Sequence, residues 1–160
     1  MVINTRVKTQ DHEEAVGTFN CPSRSCITCS HINPDKYIVG PLDYVTPSSR
    51  FDCNSDGLVY VISCERCGSI YVGQTYRSIK KRFLEHRLDV LHKIKYPNSI
   101  PRSKVADHFS SDDHTEKDMR IAGIKFKLNE GQRLKEEDNL IRKLGAYLPQ
   151  CMNSDYHFHN

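Results

Sequence analysis

Two short runs rich in β-branched and aromatic residues, Leu58-Val59-Tyr60-Val61-Ile62 and Ser69-Ile70-Tyr71-Val72-Gly73, predict strands. The connection between them, Ser63 to Gly68, is short enough for an antiparallel hairpin, which sets Tyr60 and Tyr71 on neighbouring strands. From Arg77 to about Lys93 the spacing turns helical, with Ile79, Phe83, Leu84, Leu88 and Leu91 as the apolar face, and Pro97 and Pro101 interrupt the chain beyond it. A short helix from Lys104 to Ser110, a third strand from Ile121 to Leu128 and a helix from about Gln132 to Tyr147 complete the pattern. The expected fold class is α/β, a small three-stranded antiparallel sheet flanked by helices.

The segments before this pattern differ from it. Residues 1–19 are polar and aperiodic and predict a loose N-terminal tail; residues 20–56 are loop-rich, with Cys21, Cys26, Cys29 and Cys53 among Pro, Ser, Asn and Asp. Such a connector has too little apolar content to fold without an external staple. The organised domain is expected over residues 57–154, with 155–160 as a C-terminal tail.

In the last helix, Leu134, Leu140, Ile141, Leu144 and Leu148 form one apolar stripe, and Glu137 falls in its middle. Glu136 and Asp138 lie about 100° to either side and are expected to reach water, whereas Glu137 points where the core belongs. A carboxylate there needs a salt bridge to Lys or Arg, a metal or a proton. On the first long helix, Arg82, His86 and Lys93 share a line that reads as a basic edge apart from the apolar face. Residues 77–104 hold nine Lys and Arg against Glu85 and Asp89. That local excess suits a phosphate backbone, although the whole chain has a net charge of only +3.

Seven Cys alongside eight His favour metal sites over disulfides. No signal-peptide core follows Met1 and no apolar run approaches the roughly 18–20 residues that cross a bilayer, so an intracellular, soluble protein with reduced thiols and no membrane partner is expected. Cys64 and Cys67 have the two-residue spacing of a zinc half-site, and His108 with His114 supplies a second pair. Cys21, Cys26 and Cys29 form a further candidate site, with Cys53 as fourth ligand and His31 as competitor; Cys151 is left to packing.

Taken in order, Leu58-Val59-Tyr60, Tyr71-Val72-Gly73-Gln74-Thr75, Arg82-Phe83-Leu84-Glu85-His86, Glu137-Asp138-Asn139-Leu140-Ile141 and Pro149-Gln150-Cys151-Met152-Asn153 resemble the motifs of the GIY-YIG nuclease superfamily. The Cys pair between the tyrosine motifs, the His pair downstream and the upstream Cys-rich connector resemble the endonuclease domain of Penelope-like retroelements. Leu58 stands where the family name has Gly, Cys151 where the last motif often has Gly, and Arg82 is one residue further from Tyr71 than in several relatives, which leaves Arg77 as a rival for its role.

The resemblance implies a DNA endonuclease that nicks a target site, with Glu137 holding Mg²⁺ or Mn²⁺. One of the two tyrosines, Tyr60 ahead of Tyr71, would take the proton of the attacking water directly or through His86, the other would position that water, and Asn153 would brace the site. Arg82 would bind the phosphate and lower the phenol pKa. A nuclear location and a partner reverse transcriptase domain or element RNA also follow only from the resemblance. The competing class is a zinc-dependent nucleic-acid-binding module that does not cut; strand tyrosines taken alone read as packing residues.

Overall fold

The computed structural model describes residues 14–111, 113–126 and 128–159. Its centre is strand β5 (Leu58–Cys64), every side chain of which is buried except the half-buried Ser63. β5 pairs antiparallel with β6 (Ile70–Thr75) on one side and with β7 (Met119–Lys125) on the other. The register sets Tyr60 opposite Gly73 and Gly123, and Ile62 opposite Tyr71 and Ile121. Gly68, at φ 76°, supplies the left-handed residue that turns the β5–β6 hairpin.

Strand alternation divides the sheet into two dry faces. On one, Leu58, Tyr60 and Ile62 meet Ile79, Phe83 and Val90 of α1 (Ile79–Lys95) and Val105 and Phe109 of α2 (Lys104–Phe109). On the other, Val59, Val61, Val72 and Ile124 meet Leu140, Ile141 and Leu144 of α3 (Glu130–Leu144). The mixed α/β class and the three-stranded antiparallel sheet are therefore present.

Element ends follow local chemistry. Ser78 caps α1 by accepting from Lys81 N–H, so the helix starts two residues later than Arg77. Asn129 and Gln132 form a reciprocal capping box that starts α3 early, and Gly145 at φ 75° ends it before Tyr147.

Several expectations need correction. The buried face of α1 is Ile79, Phe83, His86 and Val90, while Leu88 is 61% exposed. The covered stripe is thus rotated about one residue step, some 100°, from the expected one, and His86 belongs to the core instead of a basic edge. Residues 17–19, expected in a loose tail, form β1 (Gly17–Phe19), parallel to β4 (Arg50–Asp52), and Thr18 Oγ1 accepts from Gly123 N–H at 2.9 Å. The rest of the expected tail, 1–13, lies outside the described residues.

The connector also holds the small hairpin of β2 (Ile38–Val39) and β3 (Tyr44–Val45), and Ile38 enters the α3-side core. Phe51 closes over Gly123, where a Cβ would sit 2.5 Å from its ring. The cysteine-rich segment is in this way packed against both faces of the sheet. No helix among the described residues is long and apolar enough to cross a membrane.

Candidate active site and metal centres

A polar cluster on the α1 side of the sheet is built around Tyr60. Its ring is fully buried, and its hydroxyl lies 3.0 Å from Arg82 Nε and 2.8 Å from His86 Nε2. The strand sets Tyr60 toward α1, and one helical turn separates Arg82 from His86, so both reach the same oxygen. Glycine at position 73 makes this possible, because a Cβ there would lie 2.5 Å from Tyr60 Oη and 2.7 Å from Tyr71 Cε1. Tyr71 packs edge-on to His86 with ring centroids 5.4 Å apart.

Arg82 Nε–H can only donate to the Tyr60 oxygen, and the Tyr60 hydroxyl can in turn donate to His86 Nε2 when the neutral imidazole carries its proton on Nδ1. Burial and Arg82 hold the His86 pKa down to about 3. Burial, then Tyr71, push Tyr60 well above the ordinary phenol value, and burial raises Tyr71 as well. Arg82 pulls both phenols down, as expected of it, but burial outweighs it and the net shift is upward.

An acid sensitivity follows. Unfolded, His86 takes a proton near pH 6.5; folded, it stays neutral down to about 3. The unfolded state binds more protons in that window, so this contribution is fully present above about pH 6.5 and fades as pH falls toward 3. The thermal midpoint of wild type is expected to drop more than that of His86→Gln between about pH 7 and about pH 4. Parallel drops would show that His86 is not held neutral.

Glu137 lies at the outer edge of β6. It is 7% exposed, and no Lys or Arg pairs with it among the described residues. Its partners are the Gln74 backbone N–H and the Tyr156 hydroxyl at 3.1 Å. Burial raises its carboxyl above the usual range, against the lowering effect of the Tyr156 bond, and its charge is near enough to oppose ionisation of Tyr60 and Tyr71. His159 is near enough to favour its charge, but a desolvated carboxylate with no Lys or Arg partner is still chemically suited to a divalent ion.

The same edge shows what Asn153 does. The outward groups of β6 at alternate residues are met in turn: Ile70 O by Met152 N–H, Val72 by both ends of the Asn153 amide at 2.7 and 3.0 Å, and Gln74 N–H by Glu137. Asn153 therefore closes the edge strand beside Tyr71.

Sequence reading missed the C-terminal residues. Asp138, expected in water, is 8% exposed and accepts from Tyr156 Oη at 2.7 Å and from His159 N–H at 3.0 Å. Phe158 lies against the Arg142 guanidinium. The segment expected as a tail is thus docked on α3; its alternating Tyr156-His157-Phe158-His159 was the available signal.

Two further clusters can hold tetrahedral zinc. One ligand atom from each of Cys64, Cys67, His108 and His114 lies within 4.8 Å of the others. Tetrahedral Zn–S and Zn–N lengths need roughly 3.3–3.8 Å between ligands, so little closing is required. His114 Nδ1 is 3.1 Å from Ser111 Oγ, which leaves its Nε2 buried without a hydrogen-bond partner, as a ligand atom should be. Burial and His114 keep His108 below the usual imidazole value, in the neutral form a metal needs. A metal here would clamp the hairpin turn to the segment around α2.

In the second cluster Cys21, Cys26, Cys29 and Cys53 meet the same 4.8 Å limit, with Cys29 Sγ 3.5 Å from both Cys21 and Cys53. Burial opposes a Cys26 thiolate, but hydrogen bonds from the Cys29 backbone and the other thiols outweigh it. Cys53 is thus the fourth member. His31 is occupied elsewhere, its Nδ1 2.9 Å from Met119 O. Cys53 O and Ser55 O accept from Lys80 and Ile79 N–H, so this cluster's loop anchors the start of α1. All seven cysteines are free, and Cys151 packs in the α3-side core.

The basic stretch is less free than its sequence suggests. Arg77 and Arg82 share Glu85, Arg87 meets Glu116, and Arg102 meets Asp89. Lys80, Lys81, Lys95 and Lys104 have no carboxylate partner among the described residues. Compared with known proteins, the chain matches no family model, no curated protein and no solved structure.

Proposed function

We propose that the protein is a DNA endonuclease of the GIY-YIG type, similar to the endonuclease domain of Penelope-like retroelements, that nicks a target site with one divalent metal. The observation that carries this reading is the buried chain from Arg82 through Tyr60 to His86, placed over Gly73 near a buried carboxylate that pairs with no Lys or Arg among the described residues. A buried packing tyrosine needs one hydrogen-bond partner for its hydroxyl, whereas Tyr60 meets both a guanidinium and an imidazole. The Penelope-like assignment, a nuclear location and association with a reverse transcriptase or element RNA belong to the same proposal.

Glu137 would hold Mg²⁺ or Mn²⁺, which stabilises the leaving oxygen when bound. Tyr60 Oη takes a proton from the attacking water as its own proton passes to His86 Nε2, so neither phenolate nor imidazolium need exist beforehand. The water oxygen bonds to phosphorus as the P–O bond to the leaving oxygen breaks, and the proton taken by His86, which its low pKa releases readily, passes through solvent to the leaving oxygen. Arg82 presents its fork to the phosphate as negative charge grows, and Tyr71 orients the water. Lys80, Lys81, Lys95 and Lys104 hold flanking DNA phosphates, with binding that weakens as salt rises.

Nicking of supercoiled plasmid in Mg²⁺ tests the reading. Tyr60→Phe keeps the ring but removes the relay, and is expected to slow nicking by about 10²–10⁴-fold with DNA binding retained. Binding without any cutting by wild type would return the protein to a zinc-dependent nucleic-acid-binding module.

A further inference from the structure

Arg77 and Arg82 lie five residues apart at the mouth of the same cluster, yet they do different things. Arg82 reaches Tyr60 Oη through Nε at 3.0 Å and Glu85 Oε2 through Nη1 at 2.9 Å. Arg77 does not touch the tyrosine. Its Nη1 and Nη2 grip both oxygens of Glu85, with Nη2 2.8 Å from the Oε2 that Arg82 also uses. One carboxylate therefore ties two guanidiniums, and only one of them continues to the phenol.

We propose, building on the nuclease reading, that Arg77 and Glu85 form a positioning pair that orients Arg82, so that Arg82 alone among the three meets the scissile phosphate. The bidentate grip of Arg77 fixes the plane of the Glu85 carboxylate, and Glu85 then fixes the rotation of the Arg82 guanidinium. With Nε on Tyr60, Nη1 on Glu85 and a further bond to Tyr71, the Arg82 guanidinium is held on three sides and its remaining N–H groups are left for the phosphate. Backbone geometry supports the arrangement: Thr75 Oγ1 accepts from Arg77 N–H at 3.0 Å and lies 3.3 Å from Arg77 O, holding the residue just ahead of α1.

The location argues against a merely structural purpose. The three side chains are 29–39% exposed, and ion pairs so placed contribute little to stability. Misorienting a group that binds the transition state, by contrast, can cost about 10²-fold in rate.

The test uses the zinc-loaded full chain and supercoiled plasmid in Mg²⁺. Glu85→Gln, which keeps one acceptor oxygen, and Glu85→Ala are expected to lower kcat by about tenfold or more, with KM changed less than about threefold and the thermal midpoint nearly unmoved. Arg77→Ala is expected to lower kcat as well, and Arg77→Ala combined with Glu85→Ala to be no slower than Glu85→Ala alone, since the two act as one unit. Independently of cutting, the Arg82 Nε–H resonance, protected by its bond to Tyr60, is expected in wild type and lost in Glu85→Gln. Additive losses, an unchanged kcat in Glu85→Ala or a retained resonance would overturn the proposal. Failure of wild type to nick would sink the nuclease reading, and the resonance would still judge the pair.

Discussion

Stripping zinc is expected to unfold the protein. Two four-ligand clusters sit at opposite ends of the α1 side, one clamping the β5–β6 turn and one anchoring the start of α1. A structural zinc contributes about 10–16 kcal/mol in small domains, whereas the net stability of a domain is only about 5–15 kcal/mol, so losing even one site removes most of the margin. Cys21, Cys53 and Cys64 are buried, and without metal only weak thiol contacts, such as those of Cys29 Sγ with Cys21 and Cys53 at 3.5 Å, hold the ligand loops together. Metal analysis is expected to give two zinc ions per chain, one in Cys64→Ser and one in Cys26→Ser, and a strong chelator should collapse the thermal transition. A chain that binds no zinc and melts unchanged in chelator would reduce both clusters to thiol packing.

The second large effect is expected at Arg82. Arg82→Ala should slow nicking by about 10²–10³-fold, the usual cost of removing a donor aimed at developing transition-state charge. Arg82→Lys should recover little, because one ammonium cannot hold Tyr60 Oη and Glu85 at fixed angles and still meet a phosphate. Arg82→Ala also takes the Arg82 donor from Tyr60 Oη, a destabilisation of about 1–3 kcal/mol that leaves the protein folded. Full activity in Arg82→Lys would mean that the residue acts only as a point charge.

How much of this was legible beforehand depended on how local each feature is. The hairpin showed through because two strand-forming runs flank a short turn, and its zinc half-site because two ligands sit three residues apart. Glu137 stood out because a single helix carries both the stripe and the charge that interrupts it. His86 was misplaced because α1 offers two overlapping apolar faces, and only the sheet it packs on selects between Leu88 and Val90.

Long-range partners were invisible for the same reason. Nothing near Thr18 announces a bond to Gly123, and nothing near Asp138 announces Tyr156. The charge count over residues 77–104 overstated the free basic surface because Glu116, outside that window, takes up Arg87. The lowering effect of Arg82 on the phenols was legible, but not the depth at which Tyr60 is buried, which outweighs it.

The central claim is catalysis by a buried tyrosine relay beside a metal-holding carboxylate, and Glu137→Ala tests it most directly. Wild type and variant, matched for zinc content and thermal midpoint, would be compared in supercoiled-plasmid nicking across a Mg²⁺ and Mn²⁺ titration. The account predicts metal-dependent nicking by wild type and a loss of about 10³-fold or more in the variant that added metal does not restore. Equal, metal-independent cutting by the two proteins would contradict it.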